Sequence, residues 1–453
     1  MSVESPTPPL KRNPIQRTIA WLRSYALIRP IILLLVFLAI TTLTIYFYPI
    51  TKEGTYAREV VVAAIGSLIT IIGAIGVAIV TFPQQIRAQR ENRKIQHMDE
   101  ESWNKRHLTV GGMVIDDIVV VKSGREKTPW TDLAVMEWQP TLPVGKRDNF
   151  SSHKLVDTAR EQWLGDIERD CKNKGIALSD DACVDMVDIT ISYVHNKSGR
   201  RIPKYTITPA IESYYNFLCS TANLDRKLIV DGQETTLREN VAHPPTDIES
   251  VRELPFMTKV GVGTVAITSD GFLVLGVRGR TAIAGQFEYD EIRKAVHIVA
   301  EGMIPEDRGV GGTIDPQKTS SRALEEELGI SSGKDAIGEV KETAATGFFF
   351  DQLRYQPCFA YIAHLDVDRD QLQAGLGSAQ DSWEVEKLFF MRFDPNNAEV
   401  IALLRHEHPY LKLASNHAHA VLWFACLYQF GYFKMRDCLN TPLGRIDNGQ
   451  YSL

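Results

Sequence analysis

The chain has 453 residues, of which 44% are hydrophobic and 23% charged, and its formal net charge is -6. This length allows two or three folded units, and the negative charge argues against a general nucleic-acid binder. The six cysteines are scattered without a CxxC pair. We therefore expect neither a disulfide framework nor a zinc site, as is typical of a reducing compartment.

The N-terminal part has the pattern of a membrane hairpin. Residues 1–29 are proline-rich and then basic, which predicts a disordered segment. Two charge-free apolar runs follow, at 30–48 and 60–82, and each is long enough to cross a hydrocarbon core of about 30 Å. A signal peptide is disfavoured because the first run starts late and lacks an A-x-A site. A buried helix pair is disfavoured because two charge-free runs in tandem are rare in soluble cores.

Basic residues flank both outer ends of these runs. The distribution predicts a multi-pass protein in a lipid bilayer with both termini in the cytoplasm. Residues 83–107 are strongly charged and predict a helical linker. Self-association of the chain is left open by the sequence.

Residues 108–253 form a mixed α/β region. Their β-branched content and alternation predict strands at 114–121 and 187–194. Helices are predicted at 154–174 and at 209–224, the second with proline in its first turn. No catalytic constellation is present, and the sequence leaves the role of this region open.

Residues 254–453 read as a second mixed α/β unit. A hairpin is predicted from 259–268 and 272–280, around the turn Ser269-Asp270-Gly271. Further strands are predicted within 287–300 and at 346–351, 358–364 and 384–393, with a late helix at 412–430. One central helix between mixed strands predicts an α/β sandwich with a mixed sheet.

The central helix carries the most informative residues of the chain. Asp315 and Pro316 are typical of a helix start, and Gly329 of a helix end. Glu326 lies four residues after Arg322, within reach of a salt bridge. Position 323 shares a face with Glu326 and Glu327, at spacings of three and four, so carboxylates cluster around one point. Because clustered like charges are destabilising without a cation, Mg²⁺ or Mn²⁺ is the expected occupant.

This segment resembles the Nudix box, G-x5-E-x7-R-E-U-x-E-E-x-G-U, of hydrolases acting on nucleoside diphosphate derivatives. The matching positions are Gly302, Arg322, Leu324, Glu326, Glu327, Gly329 and Ile330. The resemblance covers roughly the last 200 residues. It implies a Nudix-like α/β/α sandwich in which Glu326 and Glu327 bind the metal.

The chain departs from the box in three ways. Ala323 stands where the family has glutamate, residues 306–312 lengthen the loop after Gly302, and Ile314 stands eight residues before Arg322. Full metal occupancy is therefore in question. The loop carboxylates that are candidates to replace the missing ligand are Glu301, Glu306 and Asp307.

Other candidates are open to a structural interpretation. Arg278 and Arg280 share one side of a predicted strand and are suited to clamping phosphate or to a solvated face. Phe348 and Phe350 are suited to stacking a base, although such pairs are more often core. The candidates for a general base are Glu384, Glu386 and Asp351, each individually more typical of solvated surface. The pairs His406/His408 and His417/His419 lack metal-ligand spacing.

Two functions follow from these patterns, with a third as a duller option. The first is a membrane-tethered Nudix-type hydrolase that cleaves a nucleoside diphosphate derivative with a divalent metal. The alternative is a non-hydrolytic nucleotide sensor coupled to the membrane spans, as in a defence or signalling effector. A scaffold that has lost its ligand is the third. Ala323 favours the sensor, whereas Arg322 and the Glu326–Glu327 pair favour chemistry.

Overall fold

The computed structural model describes residues 106–110, 112–142, 153–173, 178–196, 199–241, 244–278, 293–309, 312–334, 336–379, 385–443 and 446. The predicted membrane spans at 30–48 and 60–82, and the linker up to residue 105, lie outside these residues. Among the helices that are described, none combines the length and the apolar character needed to cross a membrane.

The described residues form fifteen strands and seven α-helices. The strands are β1 (Arg106–Val110), β2 (Met113–Ser123), β3 (Val135–Trp138), β4 (Ala182–His195), β5 (Arg201–Ser213), β6 (Lys227–Val230), β7 (Gln233–Thr236), β8 (Gly261–Ile267), β9 (Phe272–Arg278), β10 (Lys294–His297), β11 (Val299–Gly302), β12 (Val340–Asp351), β13 (Gln356–Leu365), β14 (Val385–Arg392) and β15 (Leu411–Leu413). The helices are α1 (His153–Asn173), α2 (Tyr214–Leu218), α3 (Pro316–Leu328), α4 (Arg369–Gly375), α5 (Ala398–Leu404), α6 (Asn416–Phe430) and α7 (Tyr432–Leu439).

Ten of the strands form one mixed sheet. Its order is β1-β2-β12-β13-β8-β9-β10-β15, with β11 paired to β8 and β14 paired to β9. β13–β8 and β10–β15 are parallel, and the other pairs are antiparallel. The prediction of an α/β protein with a mixed sheet is therefore confirmed.

The sheet crosses the boundary that the sequence predicts between residues 253 and 254. β2 pairs with β12, for example through Val119 and Phe350. Two strands from the N-terminal side thus extend the sheet of the C-terminal side, and the described residues all belong to one compact unit that begins at Gln96.

β8 and β9 separate beyond their turn, and their different partners determine where the loop after β11 begins. β8 and β9 pair beside their turn, at Ile267 and Leu273, and then take different partners. β10 pairs with β9, and β11 pairs with β8 until Gly302 lies opposite Gly261. The predicted strand within 287–300 is therefore two short strands, and residues 287–292 lie outside the described part.

Helices α3 and α6 cover opposite faces of this sheet. On β8, Thr264 Oγ1 lies 2.7 Å from Ser320 Oγ on α3. A Cβ atom on the adjacent Gly263 would point the other way, against His417 and Val421 on α6. Since neighbouring strand residues point to opposite faces, the sheet is a middle layer between the two helices.

Most of the predicted elements are confirmed, including the hairpin, the central helix, the late helix and both strands of the N-terminal region. The predicted helix at 209–224 is wrong in its first part and is otherwise much shorter than predicted. Residues 201–213 form β5 and pair with β4, Tyr214–Leu218 forms α2, and Thr221–Asn223 forms a single 3-10 turn. Pro209 is tolerated in this strand because it lies where the pairing register shifts between Met186 and Asp188.

The N-terminal region is bonded directly to the loop after β11. β3, β5 and β4 form a second sheet, and the Val184 N–H donates to the Met303 carbonyl at 2.9 Å. The Val260 N–H donates to the Val184 carbonyl at 3.0 Å. The strand that leads into β8 and the residue after Gly302 are thus both held by β4.

Candidate functional site

Helix α3 begins and ends as the sequence predicts. The Asp315 side chain accepts from the Gln317 N–H at 2.9 Å, and Pro316 is the first helical residue. Gly329 ends the helix in the left-handed conformation, with φ of 68°. Only glycine adopts this conformation without cost, so the helix stops at this residue.

Arg322 joins the helix to the loop that precedes it. Its guanidinium donates to the Gly302 carbonyl at 2.7 Å and to the Glu326 carboxylate at 2.9 Å. It also donates to both carboxylate oxygens of Asp307, each at 3.1 Å. One side chain therefore fixes the end of β11, the inserted loop and a glutamate of the helix, using the planar fork geometry that only arginine offers.

Asp307 is the buried partner of this arginine, and the exposed fraction of its side chain is 4%. It also accepts from the Thr319 hydroxyl at 2.8 Å and from the Ile304 N–H at 3.0 Å. The sequence marks Asp307 as a substitute metal ligand, but the structure uses its carboxylate to hold Arg322. The spacing to Arg322 is fifteen residues, which helical periodicity does not reveal.

The carboxylates around Arg322 stabilise the charged form of its guanidinium. Burial acts to lower the pKa of Arg322, but the hydrogen bonds and charge of Asp307 outweigh it, and Glu301 and Glu326 add to this effect. The pKa of the guanidinium is therefore raised further above its usual value. Three carboxylates act on one cation, which leaves the cluster negative.

Glu326 and Glu327 both accept hydrogen bonds from groups of the protein. Glu326 pairs with Arg322, and its side chain is 22% exposed. Glu327 accepts from the Ala300 N–H at 3.0 Å and is buried. Glu301 accepts from the Gly302 N–H at 2.7 Å. The helix thus presents one half-exposed and one buried carboxylate beside the end of β11.

This donor set fits a hard divalent cation that keeps part of its own hydration. Within the described part of the chain, no three His, Cys, Asp or Glu side chains are grouped to hold a metal ion. Mg²⁺ is commonly held by one or two carboxylates, with phosphate oxygens and water completing its shell. Glu326 and Glu327 supply that number, and the negative cluster favours a cation.

Ala323 lies in the core between α3 and the sheet. It is 1% exposed and packs in one cluster with Val299, Leu324 and Leu328. A glutamate here would need to bury its carboxylate or displace this packing. The packing of the helix against the sheet therefore favours alanine over the family's glutamate at position 323.

The remaining predicted site residues fall in several places. Glu306 is exposed on the loop beside Asp307. Arg278 ends β9 opposite Val385, and Glu386 follows at an irregularity of β14. Arg280 and Glu384 lie outside the described residues, so their predicted roles stay predictions.

Of the two interpretations of Phe348 and Phe350, core packing is the one that the structure supports. Phe348 and Phe350 are both fully buried. Phe348 stacks on Phe359 with ring centroids 4.5 Å apart and lies 5.8 Å from Trp130. These rings pack the N-terminal region against the sheet and leave no face for a ligand base.

Asp351 is wrong as a base for this site. Its carboxylate accepts from the N–H groups of Leu353 and Arg354, at 2.9 and 3.3 Å, and so caps a turn. Its charge acts on Cys358, which packs in the core under α6, on the face away from α3. Desolvation by burial raises the pKa of Asp351 to about 6.

A second polar cluster on the α6 face escapes sequence reasoning. Cys358 Sγ lies 3.2 Å from His417 Nδ1, across 59 residues of sequence. His417 Nε2 is buried without a hydrogen-bond partner in the described structure. Burial raises the pKa of Cys358 and lowers that of His417 to about 3. Nearby, His406 Nε2 and His419 Nδ1 are 2.7 Å apart, which is a hydrogen bond between rings.

No family model and no curated protein matches this chain. The assignment of function therefore rests on the residues and their geometry.

Proposed function

We propose that the chain is a membrane-tethered Nudix-type hydrolase that cleaves a nucleoside diphosphate derivative with Mg²⁺ or Mn²⁺. The observation that carries the proposal is the Arg322 hub, which ties Gly302, Asp307 and Glu326 together. A diphosphate hydrolase needs a rigid carboxylate cluster, and this hub supplies one. The three-layer arrangement of α3, sheet and α6 supports a Nudix-like α/β/α sandwich.

Each residue of the cluster has a distinct task in this proposal. Glu326 and Glu327 hold the metal, which when bound polarises the diphosphate and lowers the pKa of water. Arg322 orients the Glu326 carboxylate and fixes the carbonyl of Gly302. Glu384 and Glu386 remain the predicted bases that take the proton of the attacking water.

Ala323 favours a second candidate, a nucleotide sensor without turnover. With alanine at this buried position, the helix supplies two carboxylates here, whereas the family pattern has three. Two carboxylates still suffice to hold Mg²⁺ against a diphosphate. In this alternative the same cluster binds the nucleotide, and the apolar runs at 30–48 and 60–82 carry the output.

The test is Mg²⁺-dependent product release by the purified full-length protein across nucleoside diphosphate conjugates. We expect Glu326→Gln with Glu327→Gln to lower turnover about 100-fold or more, since metal catalysis contributes several kcal/mol. Glu325→Gln is the matched control, because Glu325 is exposed on the same helix.

The outcomes separate the candidates. Turnover that survives in the double variant would contradict the metal assignment. Nucleotide binding without turnover in the wild-type protein would select the sensor. Thermal denaturation of each variant shows whether the fold is retained.

A further inference from the structure

The outer edge of β11 is lined by carboxylates. β11 pairs with β8 on one side, and no other described strand pairs with it. The Met303 N–H, just after β11, donates at 3.0 Å to the carbonyl that precedes β8. Because N–H groups alternate in direction along a strand, those of Ala300 and Gly302 point to the other side. Glu327 accepts from Ala300 at 3.0 Å, and Glu301 accepts from Gly302 at 2.7 Å.

The side chain of Glu301 belongs to the face of the sheet that α3 covers. Val299, two residues earlier on β11, packs in one cluster with Ala323 of α3. Residues two apart on a strand point to the same face, so Glu301 also starts from the α3 face. Its side chain is half-buried, and its charge helps to raise the pKa of Arg322. Glu301 therefore lies in the carboxylate cluster around that arginine.

The other two loop carboxylates are placed less well to serve a metal ion. Asp307 donates neither oxygen to solvent: one accepts from Arg322, and the other accepts from Arg322, Thr319 and a backbone N–H. Glu306 is exposed on the loop. Glu301 makes its bond to Gly302 through Oε1, and a carboxylate can accept about four hydrogen bonds. Of the three, Glu301 is the one suited to a further ligand.

The spacing along this edge fits a carboxylate that acts through water. Two outward N–H groups of one strand lie roughly 7 Å apart, because the rise is about 3.3 Å per residue. Glu327 and Glu301 accept from such a pair, and no three acidic, His or Cys side chains converge within the described residues. Mg²⁺ binds oxygens at about 2.1 Å and keeps several waters, and a water donates over about 2.7 Å. An ion and one of its waters span this separation.

We propose that Glu301 is the third carboxylate of the divalent-metal site and binds the ion through one of its waters. This inference rests on the proposed function and names a further residue of the same site. β11 thus supplies the negative charge that α3 lacks, since Ala323 packs in the core. Carboxylates in this outer shell orient the groups bound to an ion and increase its affinity.

The experiment is calorimetric titration of the purified full-length protein with Mn²⁺. We expect Glu301→Gln to weaken Mn²⁺ binding about tenfold, as is typical when an outer-shell partner is lost. The glutamine keeps an oxygen that accepts from Gly302, so the melting temperature without metal should remain that of the wild type. Glu306→Gln is the matched control, because it removes the same charge from an exposed position of the neighbouring loop. It should change the affinity less than twofold.

The outcomes keep this inference apart from the proposed function. If Glu326→Gln with Glu327→Gln abolishes Mn²⁺ binding while Glu301→Gln leaves it within twofold, the metal site stands and the inference is overturned. Equal losses from Glu301→Gln and Glu306→Gln would show a general effect of charge and would also overturn it. A wild-type protein that does not bind Mn²⁺ would contradict both proposals. Glu301→Ala removes the same carboxylate and is measured instead if the glutamine variant does not fold.

Discussion

The two faces of the sheet treat ionisable groups in opposite ways. On the α3 face, Arg322 donates to Asp307 and Glu326, and these carboxylates raise its pKa despite burial. On the α6 face, burial raises the pKa of Asp351 and Cys358 and lowers that of His417, so each is moved toward its neutral form. A cluster of ionisable residues is therefore not in itself a site.

The two faces differ because the buried Asp307 has an oppositely charged partner, whereas His417 has none among the described residues. Arg322 gives the buried Asp307 a bidentate counter-charge, and Thr319 and Ile304 donate to it as well. His417 Nδ1 lies 3.2 Å from the Cys358 thiol, and its Nε2 has no hydrogen-bond partner among the described residues. Burial without a partner favours the neutral form, whereas burial with one retains the charge. Retained charge at an accessible edge is the better indicator of function.

The largest expected effect comes from removing the partner on the charged face. Arg322→Met leaves Asp307 buried without its counter-charge and frees the Gly302 carbonyl. We expect a loss of about 3–5 kcal/mol in the free energy of unfolding, as for other broken buried pairs. Chemical denaturation of the full-length variant measures it.

Lys318→Met is the control for this substitution, since Lys318 is exposed on the same helix. It should change the free energy of unfolding by no more than about 0.5 kcal/mol. A loss below about 1 kcal/mol for Arg322→Met would mean that Asp307 is not held as a charged partner.

The sequence predicts the charged face far better than the neutral one. Helix α3 has local signals at both ends, and Glu326 follows Arg322 by one helical turn. Its cluster is therefore visible in a short segment. Cys358 and His417 meet only because β13 packs under α6, and neither residue carries a local signal for the contact.

Pro209 and Lys259 show two further limits. The proline suggests a helix start, but pairing along thirteen residues of β5 outweighs that propensity. Lys259 looks like an ordinary polar residue before a strand. Its ammonium contacts the rings of Tyr214 and Phe217, which lie more than forty residues away on α2. Contacts of this range depend on tertiary packing, which periodicity does not encode.

The second-largest expected effect is a pH dependence of stability that comes from His417 on the α6 face. His417 has a pKa of about 3 in the fold, against an ordinary value of 6.5, chiefly because of burial and secondarily because of Arg354. Between pH 3 and 6.5, His417 therefore binds a proton in the unfolded chain but not in the folded chain. Stability from this residue is present above pH 6.5 and is lost as the pH falls toward 3.

We expect His417→Gln to remove this acid sensitivity. Between pH 6.5 and 4 the wild-type protein should lose about 3 kcal/mol more stability than the variant. His408 and His419 titrate in the same direction in both proteins, so the difference isolates His417. Parallel stability profiles for the two proteins would contradict the assignment of a neutral, dry imidazole.

The smallest effect has the opposite sign and comes from the neighbouring acid. Asp351 has a pKa of about 6 in the fold against an ordinary 3.8, so between these values the folded chain holds a proton that the unfolded chain releases. Its contribution to stability is therefore present below pH 4 and is lost as the pH rises to 6.

Asp351→Asn keeps the carbonyl that accepts from Leu353 and Arg354 but has no proton to lose. We expect the variant to be more stable than the wild type by about 2 kcal/mol at pH 7 and equal to it near pH 4. A variant that is less stable at pH 7 would show that Asp351 is stabilised as a carboxylate, and the contrast between the two faces would then fail at this residue.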